Sequence, residues 1–124
     1  MYGDRVMSRN RDLAAAFGVL MVAWVLLGFA SGFAARYTSV YTEEVQLVEW
    51  GLGVLVLVFI PLVRGVARWT ALGAGIAGII CAVWAALGLA TLPPEAVHAP
   101  VVGLVLAALF TYFSFAAYRE KPVA

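Results

Sequence analysis

The sequence predicts an all-α integral membrane protein whose four transmembrane helices pack as an up-down-up-down antiparallel bundle. Hydrophobic residues make up 65 % of the 124 residues and charged residues only 12 %, about half the charged share of a typical soluble domain. The apolar residues fall into four long runs separated by short polar segments, and the basic residues gather in alternate segments. A chain of this length could not bury so much apolar surface within itself, so its main partner is predicted to be the lipid bilayer.

The first apolar run covers residues 13–35 and follows a polar segment, residues 1–12. We predict that residues 1–12 form a cytoplasmic tail and that residues 13–124 form a single transmembrane domain. Asn10 or Asp12 is expected to cap the first helix, since both side chains can accept a hydrogen bond from a helix N-terminus. A cleaved signal peptide is the alternative for this region. The run exceeds the roughly 7–15 apolar residues of a signal-peptide core, which favours a retained transmembrane helix.

The other three predicted spans cover approximately residues 44–63, 70–92 and 101–118. The turn between the second and third spans is so short that these two helices must be antiparallel neighbours. The third span carries no charge and, as a helix, would be roughly 34 Å long, which is enough to cross a bilayer. Three prolines between residues 93 and 100 are expected to prevent this helix from continuing into the fourth.

The distribution of basic residues predicts the orientation in the membrane. Seven of the eight Lys and Arg side chains lie in the N-terminal segment, in the turn between the second and third spans, or in the C-terminal segment. With four spans, these three segments lie on the same side of the membrane. Only Arg36 lies on the other side. Basic residues in short segments are retained in the cytoplasm. Both termini are therefore predicted to be cytoplasmic. The seven are Arg5, Arg9, Arg11, Arg64, Arg68, Arg119 and Lys121.

Small residues predict which helix faces meet, because helices in lipid associate where small side chains let them approach closely. The third span is the richest in such residues and is expected at the centre of the bundle. The predicted helix-packing residues are Gly28, Gly32, Gly73, Gly78, Ala82, Gly103 and Ala107. The bulky Leu106, Phe110 and Phe113 are expected to face away from these contacts. The second span has few small residues and is predicted to be the most exposed to lipid or to a partner subunit.

Glu49 is the only ionisable residue set inside an apolar run, a position at which charges are costly and often functional. Arg36 and His98 are expected at the same depth on neighbouring helices. One hypothesis is a small site that takes up a proton or a cation. The other, which the low cost of shallow charges favours, is a pair between Glu49 and Arg36 that fixes helix register. Trp24 and Trp84 lie near mid-span and either line a pocket for an apolar or cationic ligand or fill volume.

The sequence predicts neither a catalytic constellation nor a cofactor. With one Cys and one His, it has no cysteine pair for disulfide exchange and no second histidine for haem, and we predict no metal site. A net charge of +1 gives no reason to expect a nucleic-acid partner. We therefore expect a non-enzymatic protein of the plasma membrane, a structural or accessory subunit that forms a homo-oligomer or joins a larger complex through the second span. The alternative is a small homo-oligomeric transporter or channel that uses Glu49 at its outer mouth.

Overall fold

The computed structural model describes the backbone of residues 2–65 and 67–120, and the side chains of the same residues except 2–8 and 34. In this part of the chain the structure is all-α, and four of its helices are long and apolar enough to span a membrane. The helices are α1 (Tyr2–Ala30), α2 (Phe33–Arg36), α3 (Glu43–Val63), α4 (Arg68–Thr91) and α5 (His98–Arg119), with a 3₁₀ turn at Pro94–Ala96.

Helix α1 differs from its prediction at both ends. It begins at Tyr2, so Asn10 and Asp12 lie inside it and do not cap it. Their side chains instead contact other parts of the chain, since Asn10 Nδ2 donates to Glu120 Oε1 at 3.0 Å and Asp12 pairs with Arg64. The helix ends at Ala30, five residues earlier than predicted, because Gly32 has a φ of 81°. Glycine adopts this left-handed conformation without strain and commonly terminates helices.

Three further helix ends follow from local chemistry. Thr42 Oγ1 accepts a hydrogen bond from the Val45 backbone N–H at 3.4 Å and caps α3. Helix α4 ends at Thr91, just before two successive prolines. Pro100, however, lies within the first turn of α5, which begins three residues before the predicted span. Proline is compatible with that position because the first N–H groups of a helix have no intrahelical acceptor.

The four long helices form a ring in which each packs on two neighbours. Helix α1 packs on α3 and α5, and α4 packs on the same two helices from the other side. The prediction that the third span lies at the centre of the bundle is therefore wrong, since α4 and α1 lie diagonally opposite one another. The prediction for the second span agrees with the structure. In α3, 6 % of the most apolar window is buried, against 22 % in each other span.

Asn10 and Arg11, in the first half of α1, and Arg68, at the start of α4, contact the ends of α3 and α5, so consecutive long helices run antiparallel. We call this the arginine end of the bundle. Arg11 Nη1 and Nη2 donate to Val63 O at 2.7 Å and to Ala67 O at 3.3 Å. The Arg68 guanidinium donates to Tyr118 O at 2.8 and 3.1 Å and lies 4.7 Å from the centre of the Tyr118 ring. These arginines therefore tie α1 to the α3–α4 turn and α4 to α5. Lys121 and the side chain of Arg5 lie outside the described residues.

The packed core lies in the half of the bundle next to the arginine end. Its fully buried residues are mostly small, with Phe110 as the largest. They are Ala14, Val56, Val63, Ala71, Ala74, Ala77, Ala107, Phe110, Ser114 and Ala117, all at most 2 % exposed. The opposite half, which we call the cavity end, holds the loop of residues 37–42 and the segment between α4 and α5.

Glycines in the core receive aromatic rings from neighbouring helices. A methyl group added at Gly73 would collide with Phe59, and one at Gly75 would collide with Phe115. Gly18 and Gly78 both lie against the ring of Phe110. The expectation that Phe110 points away from the helix contacts is therefore wrong, because these two glycines leave a hollow that its ring fills. Phe110 is 0 % exposed.

Candidate functional site

The cavity end contains a cavity of about 570 Å³ that is bounded by all four long helices. It extends from the loop of residues 37–42 to the level of Met21 and Val56, near the middle of α1 and α3. Ser39 and Thr91, which are exposed at the cavity end, also line it. The cavity is therefore accessible from that end and closed by the packed core at the other.

Small residues leave this space open. Gly28 and Gly53 line the cavity, and a methyl group added at either would meet no atom within 4 Å. Ala85 and Gly103 line it as well. In the core, aromatic rings from neighbouring helices occupy the space beside the glycines. In the cavity, Gly28 and Gly53 face no atom, and a methyl group added at Gly103 would meet only Ala85 Cβ, at 4.0 Å. The difference between the halves comes from the bulk that lies opposite each small residue.

The predicted packing residues accordingly divide into two groups. Gly73 lies against Phe59, Gly78 against Thr111 and Phe110, and Gly103 against Ala85. Ala107 is 1 % exposed and Ala82 packs against the buried core. Gly28 and Gly32 differ from the expectation, because neither has a neighbour where a side chain would be. Gly28 lines the cavity and Gly32 terminates α1.

Glu49 lies in the second turn of α3, is partly buried and lines the cavity. Its Oε1 accepts a hydrogen bond from Trp84 Nε1 of α4 at 3.2 Å. Among the described residues that line the cavity, none is Lys, Arg or His. The carboxylate therefore lies in mostly apolar surroundings with an indole N–H as its donor and no cationic side chain in the cavity.

The expected grouping of Glu49 with Arg36 and His98 does not form in the described part of the chain. Arg36 is exposed at the end of α2. His98 is also exposed, and its ring is nearly perpendicular to that of Phe33, with 5.9 Å between the centroids. The position of Glu49 along the second span predicts its depth but not the direction of its side chain. That side chain points between α3 and α4 and contacts Trp84, not Arg36 or His98.

Aromatic side chains contribute much of the cavity wall. Five of them line it, from α1, α2, α4 and the loop before α3. They are Trp24, Phe29, Phe33, Tyr41 and Trp84. Trp24 Nε1 donates to Ala99 O at 3.0 Å, so its ring is held between α1 and α5. Both mid-span tryptophans thus belong to a pocket, one of the two alternatives that the sequence left open.

Tyr41 lies at the loop side of the cavity, before α3 begins. Burial, and secondarily the negative charge of Glu49, raise the pKa of Tyr41 to about 12. Its hydroxyl therefore stays protonated at physiological pH and keeps a hydrogen to donate. The Tyr41 ring also contacts Phe33 edge-on, at 5.7 Å between centroids.

The charges around the cavity end are mainly negative. Glu43, Glu44 and Glu95 are exposed there, in addition to Glu49, and the basic side chains described at this end are Arg36 and His98. An acidic entrance raises the local concentration of cations and disfavours anions. Within the described residues, no three side chains among His, Cys, Asp and Glu are grouped so that they could hold a metal ion.

Comparison with known proteins identifies no relative of this chain. No protein-family model, no curated protein and no solved structure matches the chain.

Proposed function

We propose that this chain is a small multi-pass transporter or channel of the plasma membrane that takes up a cation or a proton at Glu49. The observation that carries the proposal is the position of Glu49, which lies in a mostly apolar cavity without a basic side chain among the residues that line it. A carboxylate in such surroundings is costly unless a positive charge or a proton accompanies it. Since the cavity supplies no cationic side chain, the accompanying charge comes from solution.

The distribution of arginines supports an orientation with the cavity end outside the cell. Arg9, Arg11, Arg64, Arg68 and Arg119 gather at the arginine end, and only Arg36 among the described arginines lies at the other. Segments rich in basic residues stay in the cytoplasm. Solutes from outside would then enter past the acidic residues around the loop of residues 37–42.

A flux measurement in proteoliposomes tests the proposal. Wild-type protein should carry protons or monovalent cations across the membrane, and Glu49→Gln should abolish this flux. The glutamine oxygen can still accept the Trp84 hydrogen bond, so the variant removes the charge with little change in shape. Glu120→Gln, the same change at the arginine end, is the matched control and should keep the wild-type rate. Absence of flux in the wild-type protein would contradict the proposal.

A second candidate function is that of an accessory subunit or homo-oligomer which associates through α3. The observation in its favour is the apolar face of that helix, where Leu47 is 70 % exposed, Val54 57 % and Leu57 55 %. Purification in a gentle detergent followed by mass spectrometry and determination of the mass of the complex tests it. A single copy with no co-purifying protein would contradict this candidate.

A further inference from the structure

We infer that the ligand of the Glu49 cavity is a bulky, apolar organic monocation rather than an inorganic ion. The inference deepens the proposed function, and it rests on the role of the cavity as an uptake site. Three independent features of the cavity support it: its size, the composition of its wall and its single charged group.

The size of the cavity fits an organic molecule. Its volume of about 570 Å³ falls within the range of roughly 300–1,000 Å³ that small-molecule sites occupy. A bare metal ion needs several oxygen ligands at short distances. Glu49 is the only carboxylate among the residues that line the cavity, and the other oxygen-bearing side chains are Ser39, Tyr41 and Thr91. Thr91 Oγ1 already bonds to Leu87 O at 3.0 Å.

The wall of the cavity fits an apolar cation. Its aliphatic residues, such as Met21, Val25 and Val56, would remove the apolar body of a ligand from water. The faces of tryptophan and tyrosine rings carry partial negative charge and attract organic cations. Trp84 has two roles in the cavity: its N–H orients the Glu49 carboxylate, and its ring forms part of the wall.

The charge of the cavity fits a single positive charge. One carboxylate without a basic neighbour in the cavity is neutralised by one cationic group. A neutral ligand would leave the carboxylate without a counter-charge, and an anion would be repelled by it. Charge on the ligand should therefore decide binding even where size and shape are held constant.

Equilibrium dialysis with two ions of matched shape tests this inference. The protein is placed in lipid nanodiscs and exposed to tetraphenylphosphonium or to tetraphenylborate, which are alike in size and apolar surface but opposite in charge. Empty nanodiscs correct for partition into lipid. We expect saturable binding of tetraphenylphosphonium to the wild-type protein and none of tetraphenylborate. Glu49→Gln should weaken the binding by about tenfold or more, and Glu120→Gln should leave it unchanged.

The possible outcomes distinguish a failure of the inferred ligand class from a failure of the proposed function. Equal binding of the two ions, or binding unchanged in Glu49→Gln, would overturn the inference. So would a wild-type protein that carries protons or sodium in a Glu49-dependent way but binds no tetraphenylphosphonium, although the proposed function would then stand. Glu49-dependent binding of tetraphenylphosphonium without any flux would support the ligand class and count against a transporter or channel.

Discussion

Trp84 and Glu49 join α4 to α3 through a hydrogen bond of 3.2 Å between the indole nitrogen and a carboxylate oxygen. The two residues come from different apolar spans, and both line the cavity. The bond holds the carboxylate against the wall of the cavity. Since an unpaired charge in such surroundings is costly, the indole is expected to stabilise both the fold and the position of the charge.

Replacement of Trp84 by Phe should therefore destabilise the protein by more than the smaller side chain alone would, because the hydrogen bond to Glu49 is also lost. The double-mutant cycle of Trp84→Phe with Glu49→Ala should give a coupling energy of about 1 kcal/mol, typical of polar contacts between membrane helices. The free energy of unfolding in mixed micelles is the measurement. Trp24→Phe with Glu49→Ala is the control pair and should be additive, because Trp24 donates to Ala99 O instead. Additivity in the Trp84 pair would show that the hydrogen bond contributes nothing.

The positions of the helices follow from the sequence because each span is a long apolar run that ends at a recognisable signal. Pro93 and Pro94 stop α4, and the polar segments on either side of α3 leave little freedom in its bounds. The pattern of apolar and small residues does not predict the early end of α1, although Gly32 offers a signal for it. It predicts Gly32 to be a packing residue, whereas the left-handed conformation of Gly32 ends the helix.

The cavity could not be predicted in the same way. Helical periodicity shows which residues share a face, but not what lies opposite that face. Gly78 meets Thr111 and Phe110, while Gly28 meets an open space. Similarly, hydropathy predicted the depth of Glu49 but not the direction of its side chain around the helix axis. Both distinctions depend on how the helices are rotated against one another, which is a property of the assembled bundle.

Gly78 and Gly28 offer a matched test of this difference. Gly78→Ala should destabilise the protein by about 1–3 kcal/mol, because the new methyl group overlaps Thr111 Oγ1 and lies 3.0 Å from the ring of Phe110, so these buried side chains must move. Gly28→Ala should leave the stability unchanged or slightly increased, since its methyl group would enter the cavity. Thermal unfolding in detergent distinguishes them. Equal destabilisation by both substitutions would contradict the assignment of Gly28 to the cavity.

Arg11 and Arg64 lie at the same end of the bundle but should differ in their effect on stability. Arg11 is partly buried and donates to two backbone carbonyls of the α3–α4 turn, at Val63 and Ala67. Arg11→Gln should cost about 1.5–3 kcal/mol of unfolding free energy, the usual contribution of hydrogen bonds to a charged group. Arg64 pairs with Asp12 at the surface, with side chains 63 % and 53 % exposed.

Arg64→Gln is the control for Arg11→Gln and should change the free energy of unfolding by less than about 1 kcal/mol. Both variants remove one basic residue from the arginine end, so any effect of charge on membrane insertion is the same in the two. Equal losses of stability would mean that the contacts of Arg11 with the turn do not contribute. Chemical unfolding in mixed micelles gives both values.

The titration of Tyr41 should respond to Glu49. The pKa of Tyr41 is raised to about 12 by burial and, to a lesser extent, by the charge of Glu49. Glu49→Gln removes that charge and should lower the pKa of Tyr41, while burial should keep it above the ordinary value of 10.0. The absorbance of the phenolate, with Tyr41→Phe subtracted, reports this group, and circular dichroism at each pH verifies that the helices persist. An unchanged titration in Glu49→Gln would place the two groups too far apart to interact.

Cysteine labelling should distinguish the two ends of the bundle. Single cysteines introduced as Ser39→Cys at the cavity end and Glu120→Cys at the arginine end, each in a Cys81→Ala background, are exposed to a membrane-impermeant maleimide. If basic segments remain in the cytoplasm, Ser39→Cys should react in intact cells and Glu120→Cys only after the membrane is opened. Because consecutive long helices run antiparallel, residues 39 and 120 lie at opposite ends of the bundle. The two cysteines must therefore lie on opposite sides of the membrane if all four helices cross it. Reaction of both sites in intact cells would contradict the four-span arrangement, and the reverse pattern would invert the orientation and direct the Glu49 cavity toward the cytoplasm.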